Sequence, residues 1–472
     1  MRGKTLLIAS LMLAGLASPA LAEPASNLFD RVSLNLDAVF ASPSIDSDGA
    51  LYGVRGRNSA RGSESSLGIL SLGSPAFLTP GSCPDSSGWC DTAAHIAAAT
   101  FGWDFHAKGA GVIIGIVDSG IDLNNPEFTG RILPGWCIVS SANDCKSTND
   151  QLGGDLGVYP TNVTHGTHVA GIAAGTNTGI APLANILPVK VCQSFGVSCD
   201  GITQGISWAF SHGATIINVS IAGSVVTSAD TSALKTIAGK GGLLVVASGN
   251  AGDTVPAGGY LAGAALTDGI RGSMIVVGAT GKGGVNGKGQ IAYFSQIPSS
   301  TCQRSGRNTY CMRDYFVVAP GYDIWSSVGN AASTSAAYGY LSGTSMASPY
   351  VAGVAAVIKG QWPNLTGAKI ASIIFSTADD VGPSGVDNTY GRGAVDITRA
   401  MAAVGTLTSM PSSSEPSSTI FMTVPVVSGP LSAGIASSTL MRDVILFDAF
   451  GRDFAVRTRL GSEARSRAGG RR

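Results

Sequence analysis

The sequence predicts an α/β fold in which a mostly parallel central sheet is covered by helices on both faces. From about residue 95, short runs rich in β-branched residues recur between helical stretches: Gly111–Val117, Ile186–Val191, Ile216–Val219, Leu243–Ala247, Ile275–Val277 and Phe316–Ala319. These runs are apolar nearly throughout, with Pro188 and Lys190 the main exceptions. Strands buried on both faces read this way, and their alternation with helices gives a sheet between two helical layers. Ligands in such sheets bind beyond the carboxyl ends of the strands, where Asp118, Ser220 and Asn250 all fall.

The chain has 472 residues, enough for one large domain with smaller flanking segments. Lys+Arg and Asp+Glu stand at 30 each, so net charge gives no reason to expect nucleic acid or an anionic surface as partner. Residues 1–22 read as a secretory signal peptide: Arg2 and Lys4 begin it, Leu6 to Leu16 is apolar, and Ala20-Leu21-Ala22 is a small-residue cleavage site. The apolar run is too short to span a bilayer, so the mature chain is expected to have no transmembrane segment. The expected location is the cell surface or beyond, in a bacterium the periplasm, outer surface or medium.

Residues 23–94 are rich in Ser, Gly and Asp, with Arg55, Arg57 and Arg61 as a basic patch. They read as an N-terminal extension or short propeptide, partly disordered. Residues 95–405 form the main domain, and 406–418 a Ser/Pro linker. The tail, 419–472, holds two strand-like pieces, Ile420–Val427 and Asp443–Phe450. It is too short for a core of its own, so deletion after Thr406 is expected to leave the main domain folded and active. The 8 cysteines fall into four local couples, Cys83-Cys90, Cys137-Cys145, Cys192-Cys199 and Cys302-Cys311. About 105 connectivities are open to them. Their clustering favours the nearest-neighbour set as disulfides of an exported protein. No Cys-x-x-Cys couple suggests zinc.

Three separated motifs carry chemistry. Ser345, in Gly343-Thr-Ser345-Met-Ala-Ser-Pro349, precedes an apolar helical pattern over Met346–Gly360 in which Gly360 supplies the C-cap and Pro349 falls in or near the first turn. Its hydroxyl is thus placed at a positive helix end, where an oxyanion is stabilised. His165, in Thr-His165-Gly-Thr-His168-Val-Ala-Gly171, starts a second helix, with Gly166 and Gly171 permitting close packing. A histidine side chain is the usual general base. His168 reads as a structural histidine, His212 as a helix-end residue, and His95 and His106 carry no chemical context. Asp118 ends a buried strand, where a carboxylate is costly unless it is paired. Asp122 reads as a turn or surface residue.

In the order Asp, His, Ser, with Asn250 in Ala247-Ser248-Gly249-Asn250 between the last two, these motifs resemble the subtilisin-like serine proteases, the subtilases, over roughly 95–405. Chymotrypsin-like enzymes begin with histidine, and α/β-hydrolases place the serine first. The resemblance implies a three-layer subtilisin-like peptidase domain and a serine endopeptidase with catalytic Asp118, His165 and Ser345. It implies an oxyanion hole from Asn250 and the Ser345 amide. Ser220, Ile221 and Ala222 would line one wall of the substrate groove and Ala247, Ser248 and Gly249 the other. Protein or peptide substrates, a monomer, and no required cofactor are expected. A structural calcium is possible in this family, but Gly175 to Pro182 is shorter than the usual loop and Glu127 stands where an aspartate ligand often does; no metal site is expected. The tail resembles the junction after the protease domain in subtilase autotransporters, leaving a truncated junction and a small appendage both open. The rival functions are a dedicated maturation protease for a surface protein and an inactive subtilase scaffold used for binding.

Overall fold

The computed structural model describes residues 108–139, 160–192, 199–223, 225–256, 259–281, 290–298, 300–329, 337–408 and 441–459. The signal peptide, the N-terminal extension, Cys83, Cys90, Cys145, His95 and His106 lie outside them.

Seven strands form the central sheet: β1 (Ile113–Asp118), β2 (Trp136–Cys137), β3 (Asn185–Lys190), β4 (Ile216–Val219), β5 (Leu243–Ala247), β6 (Met274–Thr280) and β9 (Phe316–Pro320), in the order β2-β3-β1-β4-β5-β6-β9. Every pairing among them is parallel. The sheet was expected to be mostly parallel and is wholly so. Its strands are largely apolar because helices cover both faces: each residue of β4, β5 and β6 is buried. The chain runs from β1 outward to β2 and β3, then returns to place β4 on the other side of β1. That reversal makes the carboxyl end of β1 and β4 a switch point, the usual place for a ligand crevice. Among the described residues the antiparallel pairs β7 (Cys302–Ser305) with β8 (Asn308–Cys311) and β10 (Ile324–Val328) with β11 (Ala337–Leu341) lie outside the sheet, as does a third pair described below.

Among the described residues the α-helices are α1 (Pro160–Ala174), α2 (Ile202–Ser211), α3 (Ser228–Gly239), α4 (Thr344–Gln361), α5 (Gly367–Thr377) and α6 (Ile397–Met401). Gly205 of α2 packs on Val117, Val189 and Val191, so alternate residues of β1, Asp118 included, face the opposite layer, where α1 lies. Helix α4 is buried nearly all round, as a central helix should be, and each of Val351, Val354 and Ile358 contributes roughly 1.5–3 kcal/mol by leaving water. Two expectations about helix ends change. His165 does not start its helix: α1 begins five residues earlier, at Pro160, where a proline's missing N–H costs nothing. Gly360 lies inside α4, and the C-cap is Trp362, whose N–H bonds the Ile358 carbonyl.

The chain divides into two compact units. The described part of one consists of residues within 108–407 and the short turn Asp448–Arg452. The other includes Thr408–Phe447 and Asp453–Arg472, whose described part is the antiparallel pair β12 (Met441–Phe447) and β13 (Asp453–Arg459). The sequence placed 419–472 in a separate tail, yet the turn Asp448–Arg452 groups with the main domain. Arg452 is fully buried there: it pairs with Asp448 at 2.7 Å and donates to the carbonyls of Ala400 and Ala402 at the end of α6.

Candidate active site

Strand β1 delivers Asp118 to the carboxyl edge of the sheet at 1 % exposure. A carboxylate there must be satisfied. Its Oδ1 accepts from the Ser119 amide at 2.6 Å and lies 2.8 Å from Nδ1 of His165. With Nδ1 facing a carboxylate, the imidazole carries its proton there, which leaves Nε2 as an acceptor. Lys190, the cationic exception in its apolar run, is buried and donates Nζ to the Ser119 carbonyl at 2.5 Å.

Two glycines allow α1 to approach, as the sequence suggested. A β-carbon on Gly166 would stand 2.1 Å from the Gly120 carbonyl oxygen, and one on Gly171 would stand 2.2 Å from Ser326 Oγ. Ser326 and Ser327 of β10 donate to the carbonyls of His168 and Thr167, clamping the helix from its other side. His168 is fully buried, and its Nε2 faces the carbonyls of Ile324 at 2.9 Å and Gly339 at 3.1 Å. Two carbonyl acceptors require the proton on Nε2, so His168 is a neutral tie between α1 and the β10–β11 hairpin, the structural role expected of it.

Burial pushes the His168 imidazole down to about 3 from its ordinary 6.5. Between those values the unfolded chain holds a proton there that the folded chain does not. This contribution to stability is therefore complete above pH 6.5 and is lost as pH falls toward 3. In thermal melts, the stability gap between the wild type and His168→Asn is expected to narrow from about pH 7 to about pH 4. A gap independent of pH would remove this account.

Ser345 sits in the first turn of α4 and is 4 % exposed. Its Oγ donates to the Ser220 carbonyl at 3.0 Å, while Ser220 Oγ donates to the Ser345 carbonyl at 2.9 Å. The loop after β5 brings Asn250 alongside. Its Oδ1 accepts from the amide and the hydroxyl of Thr344, both at 2.9 Å. That fixes which way the side-chain amide points: Nδ2 lies 3.2 Å from where a β-carbon on Gly343 would stand. Of the two wall segments, Ser220 and Ile221 are buried and Ala222 exposed, while Ala247, Ser248 and Gly249 are all buried. Gly249 N–H is held by the Thr344 hydroxyl at 3.1 Å.

The structure brings Asp118 and His165 into direct contact and joins Ser345 to Ser220, and Asn250 to the residue before Ser345. Of the two readings of Asp122, turn or surface residue, the structure bears out the turn: it accepts from Asn124 but is buried, its amide donating to Thr167 Oγ1 at 2.9 Å. Sequence reasoning missed Thr344, Asn218 and Ser348. The available signal was a lone asparagine in the apolar run Ile216-Ile217-Asn218-Val219. His212 caps α2 and stacks on Trp208, as a helix-end residue should. Cys192 bonds Cys199 and Cys302 bonds Cys311, as expected. Cys137 is also disulfide-bonded, and the Cys83–Cys90 couple lies outside the described residues.

Glu127 and the segment after α1 offer little to a cation. The buried Glu127 carboxylate accepts from the Asn177 amide N–H at 2.8 Å, from its side-chain Nδ2 at 2.7 Å and from the Tyr338 hydroxyl at 2.5 Å. Burial, then the bond to Glu127, raises the Tyr338 phenol, so it remains a donor. The Arg131 guanidinium donates to the carbonyls of Glu127, Ala174 and Ala184 and to Thr176 Oγ1. A calcium ion needs six to eight free oxygens, and here donors and a resident positive charge already occupy them. These residues do not fit the ion.

The chain is similar to known proteins over the region just described. The family model Peptidase_S8, described as the subtilase family, matches residues 109–393. Thermitase of Thermoactinomyces vulgaris is 31% identical over 310 residues, 63% of this chain and 91% of that one. Subtilisin NAT of Bacillus subtilis subsp. natto is 32% identical over 305 residues, 62% of this chain and 66% of that one. Among solved structures, fervidolysin from Fervidobacterium pennivorans, a keratinolytic enzyme related to subtilisin, superposes with a TM-score of 0.51 at 26% identity, covering 65% of this chain and 45% of that one.

Proposed function

The chain belongs to the subtilase family of serine endopeptidases, and from that premise we propose that it hydrolyses peptide bonds with Ser345 as nucleophile, His165 as general base and Asp118 as the residue that orients His165. The buried Asp118–His165 hydrogen bond of 2.8 Å carries this reading. It sets the tautomer that leaves Nε2 ready to take a proton.

Ser345 Oγ leaves its bond to Ser220, gives its proton to His165 Nε2 and attacks the substrate carbonyl carbon. The resulting oxyanion is held by Asn250 Nδ2 and the Ser345 amide, strengthened by the N-terminal end of α4. Collapse breaks the C–N bond, and His165 returns the proton to the departing amine. Water, deprotonated by His165, then attacks the acyl-serine ester and releases the acid. Ser220–Ala222 and Ala247–Gly249 flank the acyl side as the groove's walls. The substrates are proteins or peptides, and the enzyme acts as an exported monomer. No described helix is long and apolar enough to cross a membrane.

The test is covalent labelling of the exported protein with a fluorophosphonate, followed by peptide mapping. The adduct is expected on Ser345. A folded protein that resists the reagent would support a binding role on the same scaffold instead.

The reaction as proposed uses no metal. Because Arg131, Asn177 and Tyr338 satisfy Glu127 internally, excess chelator is expected to shift the melting temperature by less than about 2 °C, since only a ligand bound to the native state stabilises it. A fall of many degrees in chelator, restored by calcium, would show that an ion is part of the native structure.

A further inference from the structure

Helix α4 contains a proline at its sixth residue, and the cost of that proline falls on the proposed nucleophile. In an α-helix the carbonyl of residue 345 accepts from the amide of residue 349, which here is Pro349 and has no N–H. The Ser220 hydroxyl donates to that carbonyl instead, at 2.9 Å. Ser220 is itself held from behind: Asn218 Nδ2 donates to Ser220 Oγ at 2.9 Å, and Asn218 Oδ1 accepts from Ser348 Oγ at 2.7 Å. All four residues are buried, with Asn218 and Ser348 at 0 % exposure. The chain of bonds runs Ser348, Asn218, Ser220, Ser345, and the Ser345 hydroxyl closes it by donating to the Ser220 carbonyl.

An amide side chain fully buried in an apolar strand is costly unless both its ends are used, and both ends of Asn218 are used here. Its oxygen is taken by Ser348, so its nitrogen must face Ser220, which in turn leaves the Ser220 hydroxyl hydrogen to point at Ser345. We propose that the side chains of Ser220 and Asn218 are positioning residues that seat the nucleophile by supplying the hydrogen bond Pro349 withholds. This role differs from the groove-lining role of the Ser220 backbone, and it rests on the reading of Ser345 as nucleophile. Neither side chain touches the reacting atoms. They fix the 345–346 peptide, and with it the direction of Oγ and of the Ser345 amide.

The experiment compares Ser220→Ala in the wild type and in the Pro349→Ala background, with active sites counted by fluorophosphonate titration. In the wild-type background kcat is expected to fall about 10- to 100-fold with KM nearly unchanged, the scale of a small misplacement of a reacting group. In the Pro349→Ala background an amide N–H is restored to residue 349, and the loss is expected to shrink to about threefold or less. A purely structural role would lower the melting temperature and the count of active sites while leaving kcat per site alone. An equal loss of kcat in both backgrounds, or none in either, would overturn the inference. If Ser220→Ala does not fold, Asn218→Ala carries the same comparison, because it removes the donor that orients the Ser220 hydroxyl. Ser345→Ala separates the two claims: activity surviving that change removes the nucleophile assignment, whereas activity lost there but unaffected by Ser220→Ala removes only the positioning role.

Discussion

Ser345→Ala is expected to abolish fluorophosphonate labelling and to lower turnover on the order of a millionfold, the scale at which a triad nucleophile is lost. Folding should survive. The hydroxyl does not cap its helix, since the N-cap is Gly343 with no side-chain bond, so the loss is the single bond to the Ser220 carbonyl, about 0.5–1.5 kcal/mol. His165→Ala should match it in turnover. The two act as one unit, so the double variant should be hardly worse than either alone. Asn250→Ala should cost about 100- to 1000-fold in kcat with little change in KM, because its amide meets charge that appears only in the transition state. That variant also strands the Thr344 amide and hydroxyl, which Asn250 Oδ1 now accepts. A melting curve must therefore accompany its kinetics. Turnover by correctly processed Ser345→Ala protein equal to the wild type would remove the nucleophile assignment and the proposed mechanism with it.

The sheet was legible because each of its main strands is covered on both faces, which makes the run apolar nearly throughout and so visible without any partner. The candidate site was legible for a related reason. Asp118, Ser220 and Asn250 sit where apolar runs stop, and an ionisable or amide group at such an edge needs an explanation. What stayed hidden is pairing over distance. Nothing in Gly175-Thr-Asn177 says that its donors satisfy Glu127, or that Tyr338, 211 residues away from Glu127, completes the set. Asp122 read as a turn or surface residue; the turn is real, but its burial was hidden because the α1 residue bonded to its amide, Thr167, comes from 45 positions on. The start of α1 was missed because Pro160-Thr-Asn-Val-Thr carries no apolar spacing, and only the proline signals a helix there.

Arg452→Ala is expected to destabilise the main domain by about 3–5 kcal/mol, the cost of removing one partner of a buried ion pair. The guanidinium is fully enclosed, and burial pulls its ionisation down while Asp448 opposes that. Its Nε and one terminal nitrogen bond the Asp448 carboxylate at 2.9 and 2.7 Å, and the terminal nitrogens reach the carbonyls of Ala400 and Ala402, where a cation also complements the end of α6. Its Cζ lies 4.6 Å from the centroid of the ring of Trp362, the C-cap of the helix that carries Ser345. Asp448 is equally committed, accepting from the amides of Val404, Phe450 and Arg452. Deleting everything after Thr406 removes this plug. The expectation that such a truncation leaves the domain intact is therefore revised: the shortened protein should unfold at a lower urea concentration than the full chain, by about as much as Arg452→Ala does. The double change Asp448→Val and Arg452→Met, which puts apolar volume where the pair stood, should recover part of the loss, since replacing both charges avoids an uncompensated one. Urea titrations followed by tryptophan fluorescence read all three variants. If Arg452→Ala and the truncation both leave the unfolding midpoint unchanged, the turn is an appendage after all.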